Sequence, residues 1–311
     1  MFDTKSEKMK TDKLFDVIII GGSYAGLSSA MSLGRSLRNV LIIDSGKPCN
    51  RQTAHSHNFL THDGKTPQEI SRIAREDVEQ YPTVDFYEGE AVKGEKTDTG
   101  FTITADAGEE FHSRKLILAA GIKDIMPDIK GFPESWGISV IHCPYCHGYE
   151  YRNEKTGIIA NGDRAVHMAS LINNLTKDLT ILTSGSAEFD TEQKAKLEKH
   201  NIPVIEKKVA EVEHQNGQIS HIIFEDGMRM DFKAVYAAIP FIQNCDIAEQ
   251  LGCMLTEHGY IQVDNMQKTN IPGVFACGDS TSMMRSVALA VSSGNLSGAM
   301  VNMELVNETF V

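Results

Sequence analysis

Phe15-Asp16-Val17-Ile18-Ile19-Ile20-Gly21-Gly22-Ser23-Tyr24-Ala25-Gly26 is the stretch on which the fold turns. Its first half is a β-branched run suited to a strand buried on both faces of a parallel sheet. Its second half is a glycine turn, and small residues from Leu27 to about Leu37 carry on as a helix. Strand, tight turn and helix in that order make a dinucleotide-binding turn. Gly21 permits the turn and Gly26 lets helix and strand pack closely, while the backbone of Gly22, Ser23 and Ala25 leads to free amides that can hold a pyrophosphate. Ser23 replaces the middle glycine of the usual pattern, so its hydroxyl must point aside. The next strand, Val40-Leu41-Ile42-Ile43, delivers Asp44 where a carboxylate should accept ribose hydroxyls.

A distant segment decides which dinucleotide. Gly273-Val274-Phe275-Ala276-Cys277-Gly278-Asp279 reads as a strand ending at Gly278 and Asp279. In flavoproteins an aspartate so placed faces the ribityl and pyrophosphate part of FAD. The plainer reading of Asp279 is a cap for the helix containing Val287 to Val291, a role also open to Ser280 and Thr281.

The plan then repeats. Lys115 to Gly121 reads as the last strand of the first segment, and Lys123 to Gly131 as a crossover rich in Pro and Gly. A second strand, turn and helix follow at Gly157 to Ala160, Asn161 to Ala165 and Val166 to about Asn174, then a strand at Leu179 to Leu182 and a helix from about Thr191 to Lys199. Tyr236 to Pro240 closes the repeat. The expected fold is α/β, with two Rossmann-like (three-layer ββα) dinucleotide-binding domains, the second inserted in the first. A flexible tail is expected at 1–13, an FAD-binding domain at 14–121 and 241–311, and the inserted domain at 122–240.

The second turn suits a nicotinamide poorly. Ala160 replaces the first glycine, and Asp163 sets a carboxylate beside the expected pyrophosphate. Two such charges about 4 Å apart repel by about 1 to 4 kcal/mol. No Lys or Arg occurs from 180 to 193 to hold a 2′-phosphate, and Glu188 comes several residues late for a ribose partner. NAD(P)H is therefore left open, beside a purely structural role for the repeat.

Composition narrows the partners. A formal net charge of −12 over 311 residues excludes a phosphate-neutralising nucleic-acid surface. The first apolar run is strand-sized, and no stretch approaches membrane-spanning length, so a soluble, cytoplasmic protein is expected. Six cysteines are too few and too scattered for a disulfide scaffold, and only one pair has a chemical spacing.

That pair is Cys143-Pro144-Tyr145-Cys146, followed by His147-Gly148-Tyr149-Glu150. Pro144 fits the first position of a helix, which puts Cys143 at its entrance and Cys146 in its first turn. The helix's positive end favours thiolate, the attacking species in disulfide exchange. His147 can move the proton that opening and closing a disulfide requires, or it can be an ordinary surface histidine. Zinc held by Cys143, Cys146, His147 and His142 is a rival, although no second ligand pair of the usual kind appears, so no metal is expected. Inert thiols are the other alternative.

Taken together these residues resemble the low-molecular-weight thioredoxin reductases, a branch of the FAD-dependent pyridine nucleotide-disulfide oxidoreductases. The likeness runs from Asp16 to about Asn302. It rests on the Gly21 to Gly26 turn, Leu118-Ala119-Ala120-Gly121, the cysteine pair, Tyr151-Arg152-Asn153 with Lys155, and Phe275 to Asp279 with Arg285. The resemblance implies a homodimer, FAD held by the first domain, Cys146 as the thiol nearer the flavin and Cys143 as the interchange thiol. It also implies that Ser286 and Val287 begin a helix whose amides face the flavin ring. Arg51, with His55 and His57, lies in a loop that can approach flavin or substrate, though loop charge is the plainer reading. Thioredoxin reductases usually carry Asp after the second cysteine and a His-Arg-Arg cluster in the small domain. Here His147 and Thr183-Ser184-Gly185 stand in those places. That departure is similar to flavin-dependent dithiol oxidases, which pass electrons from a dithiol to dioxygen. The expected substrate is thus a dithiol or disulfide, either a small molecule or a thioredoxin-like protein.

Overall fold

The computed structural model describes residues 13–310. The tail expected at 1–13 therefore lies, apart from Lys13, outside the described residues. The chain divides into two compact units. One comprises the chain up to Cys49, Gln68–Lys123 and the chain from Ile242, and the other comprises Asn50–Pro67 and Asp124–Phe241.

The apolar run of the opening stretch forms the Leu14–Ile20 strand at the middle of a seven-stranded sheet in the first unit. On one side it pairs in parallel with Val40–Asp44, where Ile18 meets Leu41, and that strand pairs with Val84–Glu88. On the other side it pairs in parallel with Glu110–Leu118, where Ile18 meets Leu116. The long Glu110–Leu118 strand then divides its far edge. Its first half continues into the antiparallel strands Gly100–Ala105 and Ala91–Thr97, and its second half takes the parallel strand Val274–Ala276. Such a strand, covered on both faces, should be continuously apolar, and Val17, Ile18 and Ile19 are fully buried.

The small residues of the first helix are explained by its partner. The Tyr24–Arg35 helix packs on the 23-residue helix Val287–Thr309. The backbones come so close that a Cβ at Gly294 would strike Ala25 and one at Gly298 would strike Ser29. Ser28 and Ser29 donate across the gap to the carbonyls of Val291 (2.7 Å) and Gly294 (2.8 Å).

The second unit holds a five-stranded, all-parallel sheet in the order Val204–Ile205, Leu179–Leu182, Thr156–Ile159, Ala234–Ala237, Val140–Ile141. A separate antiparallel meander runs through Val209–Gln215, Gln218–Phe224 and Arg229–Asp231. Apolar clusters build around Ile158, Ile172 and Tyr236 and around Phe132, Val212 and Phe232. Two helix-bearing sheets, one parallel at its centre with an antiparallel edge and one parallel throughout, make this the α/β, Rossmann-like fold read from the sequence.

Two helices start earlier than the sequence suggests. The first begins at Tyr24 rather than Leu27, because Gly26 lies inside the first turn. The helix expected from Val166 begins at Gly162, because Asn161 caps it by accepting the Gly162 amide at 2.9 Å. Among the described residues no helix is long and apolar enough to cross a membrane.

Candidate functional sites: a nucleotide cradle and a redox disulfide

In the first unit, Gly21 sits at φ +103°, and a Cβ there would strike the Ala119 backbone. A Cβ on Gly22 would come within 2.8 Å of the Asp44 Cβ, and one on Gly26 would collide with the Gly21 carbonyl. The turn is therefore a cradle that side chains would fill. Asp44 is fixed beneath it, accepting the amides of Gly22 at 2.9 Å and Gly46 at 3.2 Å. The first-turn helix that follows has no side-chain cap from Ser23 and no acid in its first turn, so its positive end is not neutralised from within. A cleft of about 430 Å³ opens beside Asp44, lined among others by Lys47, Arg75, Glu88 and Glu90.

The C-terminal segment brings Gly278 against the same turn. Gly278 has φ +75°, its added Cβ would lie 2.9 Å from the Ala25 Cβ, and its amide donates to Ser293 at 3.0 Å. Asp279 is mostly buried, with the Arg285 guanidinium 3.8 Å away and the Cys49 thiol donating to it over 3.7 Å. Asp279 does not cap the long helix. Ser286 does, its hydroxyl accepting the Leu289 amide at 3.1 Å, and Val287 is the first helical residue. Gly121, at φ +71°, accepts from the Asn244 amide and the Ser280 hydroxyl. Eleven of the expected nucleotide-site residues thus belong to one unit: Gly21, Gly22, Ser23, Ala25, Gly26, Asp44, Gly121, Gly278, Asp279, Ser286 and Val287. Arg51 lies instead in the Asn50–Pro67 segment of the second unit.

In the second unit, Cys143 and Cys146 form a disulfide with Cα atoms 5.3 Å apart. Cys143 is the N-cap of the short helix Pro144–His147, and its sulfur accepts the Cys146 amide at 3.2 Å. That bond favours a thiolate at Cys143 once the disulfide opens. Both cysteines and His147 are half-buried, within reach of solvent. Burial pushes the His147 pKa down, the Glu150 carboxylate pushes it back up, and His57 pushes it down again. Among the described residues no group of three or more His, Cys, Asp or Glu side chains is placed to hold a metal ion.

Behind the disulfide the helix rests on Gly148. A Cβ there would meet the Leu175 side chain and, at 2.9 Å, the Tyr236 hydroxyl. His57, read from the sequence as loop charge, stands between two carboxylates: Nδ1 lies 3.6 Å from Asp63 Oδ1, and Nε2 lies 3.6 Å from Glu150 Oε1. Sequence spacing carried no signal for that contact, since the two segments meet only in the fold.

The second strand–turn–helix is occupied by its own side chains. Asn161 Oδ1 accepts the amides of both Gly162 and Glu188 at 2.9 Å, and its Nδ2 donates to the Ser186 carbonyl at 2.8 Å. Asp163 accepts from Gln193 at 2.5 Å rather than pairing with Arg164. Glu206 accepts the Ala187 amide at 3.0 Å, and Asp190 caps the Thr191–Lys199 helix. Lys207 is paired with Asp226 at 2.5 Å. Four carboxylates (Asp163, Glu188, Asp190 and Glu206) thus border the loops where a nicotinamide dinucleotide would set its phosphates.

Residues 15–294 match the family described as pyridine nucleotide-disulphide oxidoreductase. The chain is similar to a protein named thioredoxin reductase tcpT from Claviceps purpurea, 33% identical over 96% of both chains. It is also similar to one named thioredoxin reductase aclD from Aspergillus oryzae, 31% identical over 94% of this chain and 96% of that one. Among solved structures, an oxidoreductase from Agrobacterium tumefaciens shares 38% identity and superposes with a TM-score of 0.89, covering 95% of this chain and 99% of that one.

Proposed function

The chain belongs to the pyridine nucleotide-disulphide oxidoreductase family, and from that premise we propose that it oxidises a dithiol through the Cys143–Cys146 disulfide, with FAD as its cofactor and dioxygen as the final electron acceptor. At the coarser level it is a thioredoxin-reductase-like disulfide oxidoreductase. The observation that carries the proposal is the closed disulfide at a helix start beside the half-buried His147.

The first unit's residues fit the cofactor. The Gly21–Gly26 cradle and the uncapped helix start suit a pyrophosphate, and the anchored Asp44 suits ribose hydroxyls. Gly278, Asp279, Ser286 and Val287 would hold the remainder. When bound, FAD supplies a two-electron acceptor. The protein's own part is thiol chemistry. His147 takes the proton of a substrate thiol, and the thiolate attacks Cys143 Sγ. A substrate–Cys143 disulfide forms as the Cys143–Cys146 bond breaks, and Cys146 leaves as a thiolate held near the helix's positive end. The substrate's second thiol then displaces Cys143, so the substrate departs as a disulfide and two protein thiols remain. Those thiols carry the two electrons removed from the substrate.

Support for dioxygen over NAD(P)H comes from the second unit, whose turn is tied by Asn161 and bordered by carboxylates. Support for the other reading, an NAD(P)H-dependent reductase of a thioredoxin-like protein, comes from the relatives' names. Either reading carries a homodimer as the assembly, with a cytoplasmic site of action. Anaerobic mixing separates the two. Excess dithiol should bleach the flavin within the turnover time, while excess NADPH or NADH leaves it oxidised. Rapid bleaching by either nucleotide sinks the oxidase version in favour of the reductase.

A further inference from the structure

We propose that Glu150 and His57 are positioning residues for proton transfer at the disulfide: His57 holds the Glu150 carboxylate, and the two together set how readily His147 takes a proton. The proposal rests on the thiol–disulfide reading above. Its geometry lies within one unit.

His57 is presented by a closed turn. The Ser56 amide donates to the Lys65 carbonyl and the Gly64 amide to that of Ser56, at 2.8 and 2.9 Å, while Asp63 accepts the Asn58 amide at 2.7 Å. That turn aims one ring nitrogen at Asp63 and the other at Glu150, each 3.6 Å from a carboxylate oxygen. Both ring nitrogens of His57 therefore face a carboxylate, and the ring links the Asp63 turn to Glu150. Glu150 follows His147 by three residues, around the helix end that Gly148 terminates. The Glu150 carboxylate and the His57 imidazole act on His147 with opposite signs.

Tyr151, Tyr236 and His142 are among the other ionisable neighbours. The hydroxyls of Tyr151 and Tyr236 are pushed up first by burial and then by Glu150, so both stay neutral. The His142 ring, before the pair, lies 5.8 Å from the Trp136 ring, tilted against it. Cys143 and Cys146 carry no charge while joined. His147, directly after Cys146 in the chain, is the base that takes the proton of the attacking thiol, and the Glu150 charge balances the imidazolium that forms.

The test uses the full chain with FAD bound and follows the His147 ring by NMR as pH is varied, in wild type, Glu150→Gln and His57→Gln. Removing the carboxylate should lower the His147 midpoint and removing His57 should raise it, each by about half a unit or more, with Glu150→Asp returning toward wild type. The pH limb of exchange with dithiothreitol should move in the same two directions. Midpoints that stay put, or that move the same way in both variants, overturn the proposal. Opposite midpoint shifts with an unmoved exchange limb overturn the link to the disulfide. A wild-type disulfide that does not exchange with dithiothreitol strikes the thiol–disulfide reading itself, and the NMR result keeps the two failures apart.

Discussion

Tyr236 is the next-to-last residue of the Ala234–Ala237 strand, with its ring buried and its hydroxyl against Gly148, and among the described residues that hydroxyl has no hydrogen-bond partner. A buried hydroxyl without a partner costs about 1 to 3 kcal/mol relative to one left in water. Tyr236→Phe keeps the ring and deletes the orphan, so it should leave stability unchanged or raise it by about 1 kcal/mol. Urea unfolding measures this, and a loss above about 1 kcal/mol would mean that the hydroxyl serves a partner such as a bound water. The residue scale also marks where sequence reading stops. Cys143 and Cys146 announce themselves by spacing, and Pro144 fixes the helix start between them, because both are local rules. Neither the lodging of His57 between Asp63 and Glu150 nor the solitude of Tyr236 is local, so no periodicity reports them.

At the scale of elements, the paired helices Tyr24–Arg35 and Val287–Thr309 show how a glycine turn is kept open. Ser28, Ser29, Gly294 and Gly298 let two backbones touch, and the contact holds the start of the first helix beside Gly278. Gly294→Val should force those backbones apart, costing about 1 to 3 kcal/mol and weakening FAD retention in step. Met303→Ala, at a partly exposed position on the same helix, should stay within about 0.5 kcal/mol of wild type. Thermal melts with a flavin-release assay check both, and equal losses in the two variants would refute the packing argument. Strand–turn–helix units were legible because a parallel strand is apolar throughout and glycine marks its end. The Ala91–Thr97 strand was not, because Lys93, Glu95 and Lys96 give it a polar pattern that only pairing with Gly100–Ala105 makes into a strand. Asp279 was equally ambiguous, since a cap and a ligand-facing carboxylate look alike until Ser286 is seen capping the helix.

At the scale of the whole molecule, the nucleotide cradle is assembled from both ends of the chain. Gly21 to Gly26 and Asp44 come before the second unit in sequence, and Gly278 to Val287 come after it. A ligand that grips both ends ties them to one another thermodynamically, since it binds the folded cradle and not its separated halves. At free FAD about 100 times its Kd that linkage adds about 2.7 kcal/mol to the first unit. Hydrogen exchange should therefore slow on adding FAD in two widely separated peptides at once, around Ile20–Leu27 and around Ala276–Leu289. The Leu179–Leu182 strand, in the other unit's parallel sheet, should exchange at the same rate with and without FAD. Protection limited to the N-terminal peptide would mean that the C-terminal residues do not touch the cofactor. Protection that also covers Leu179–Leu182 would point to a nucleotide held in the second unit, which is where the reductase reading needs one.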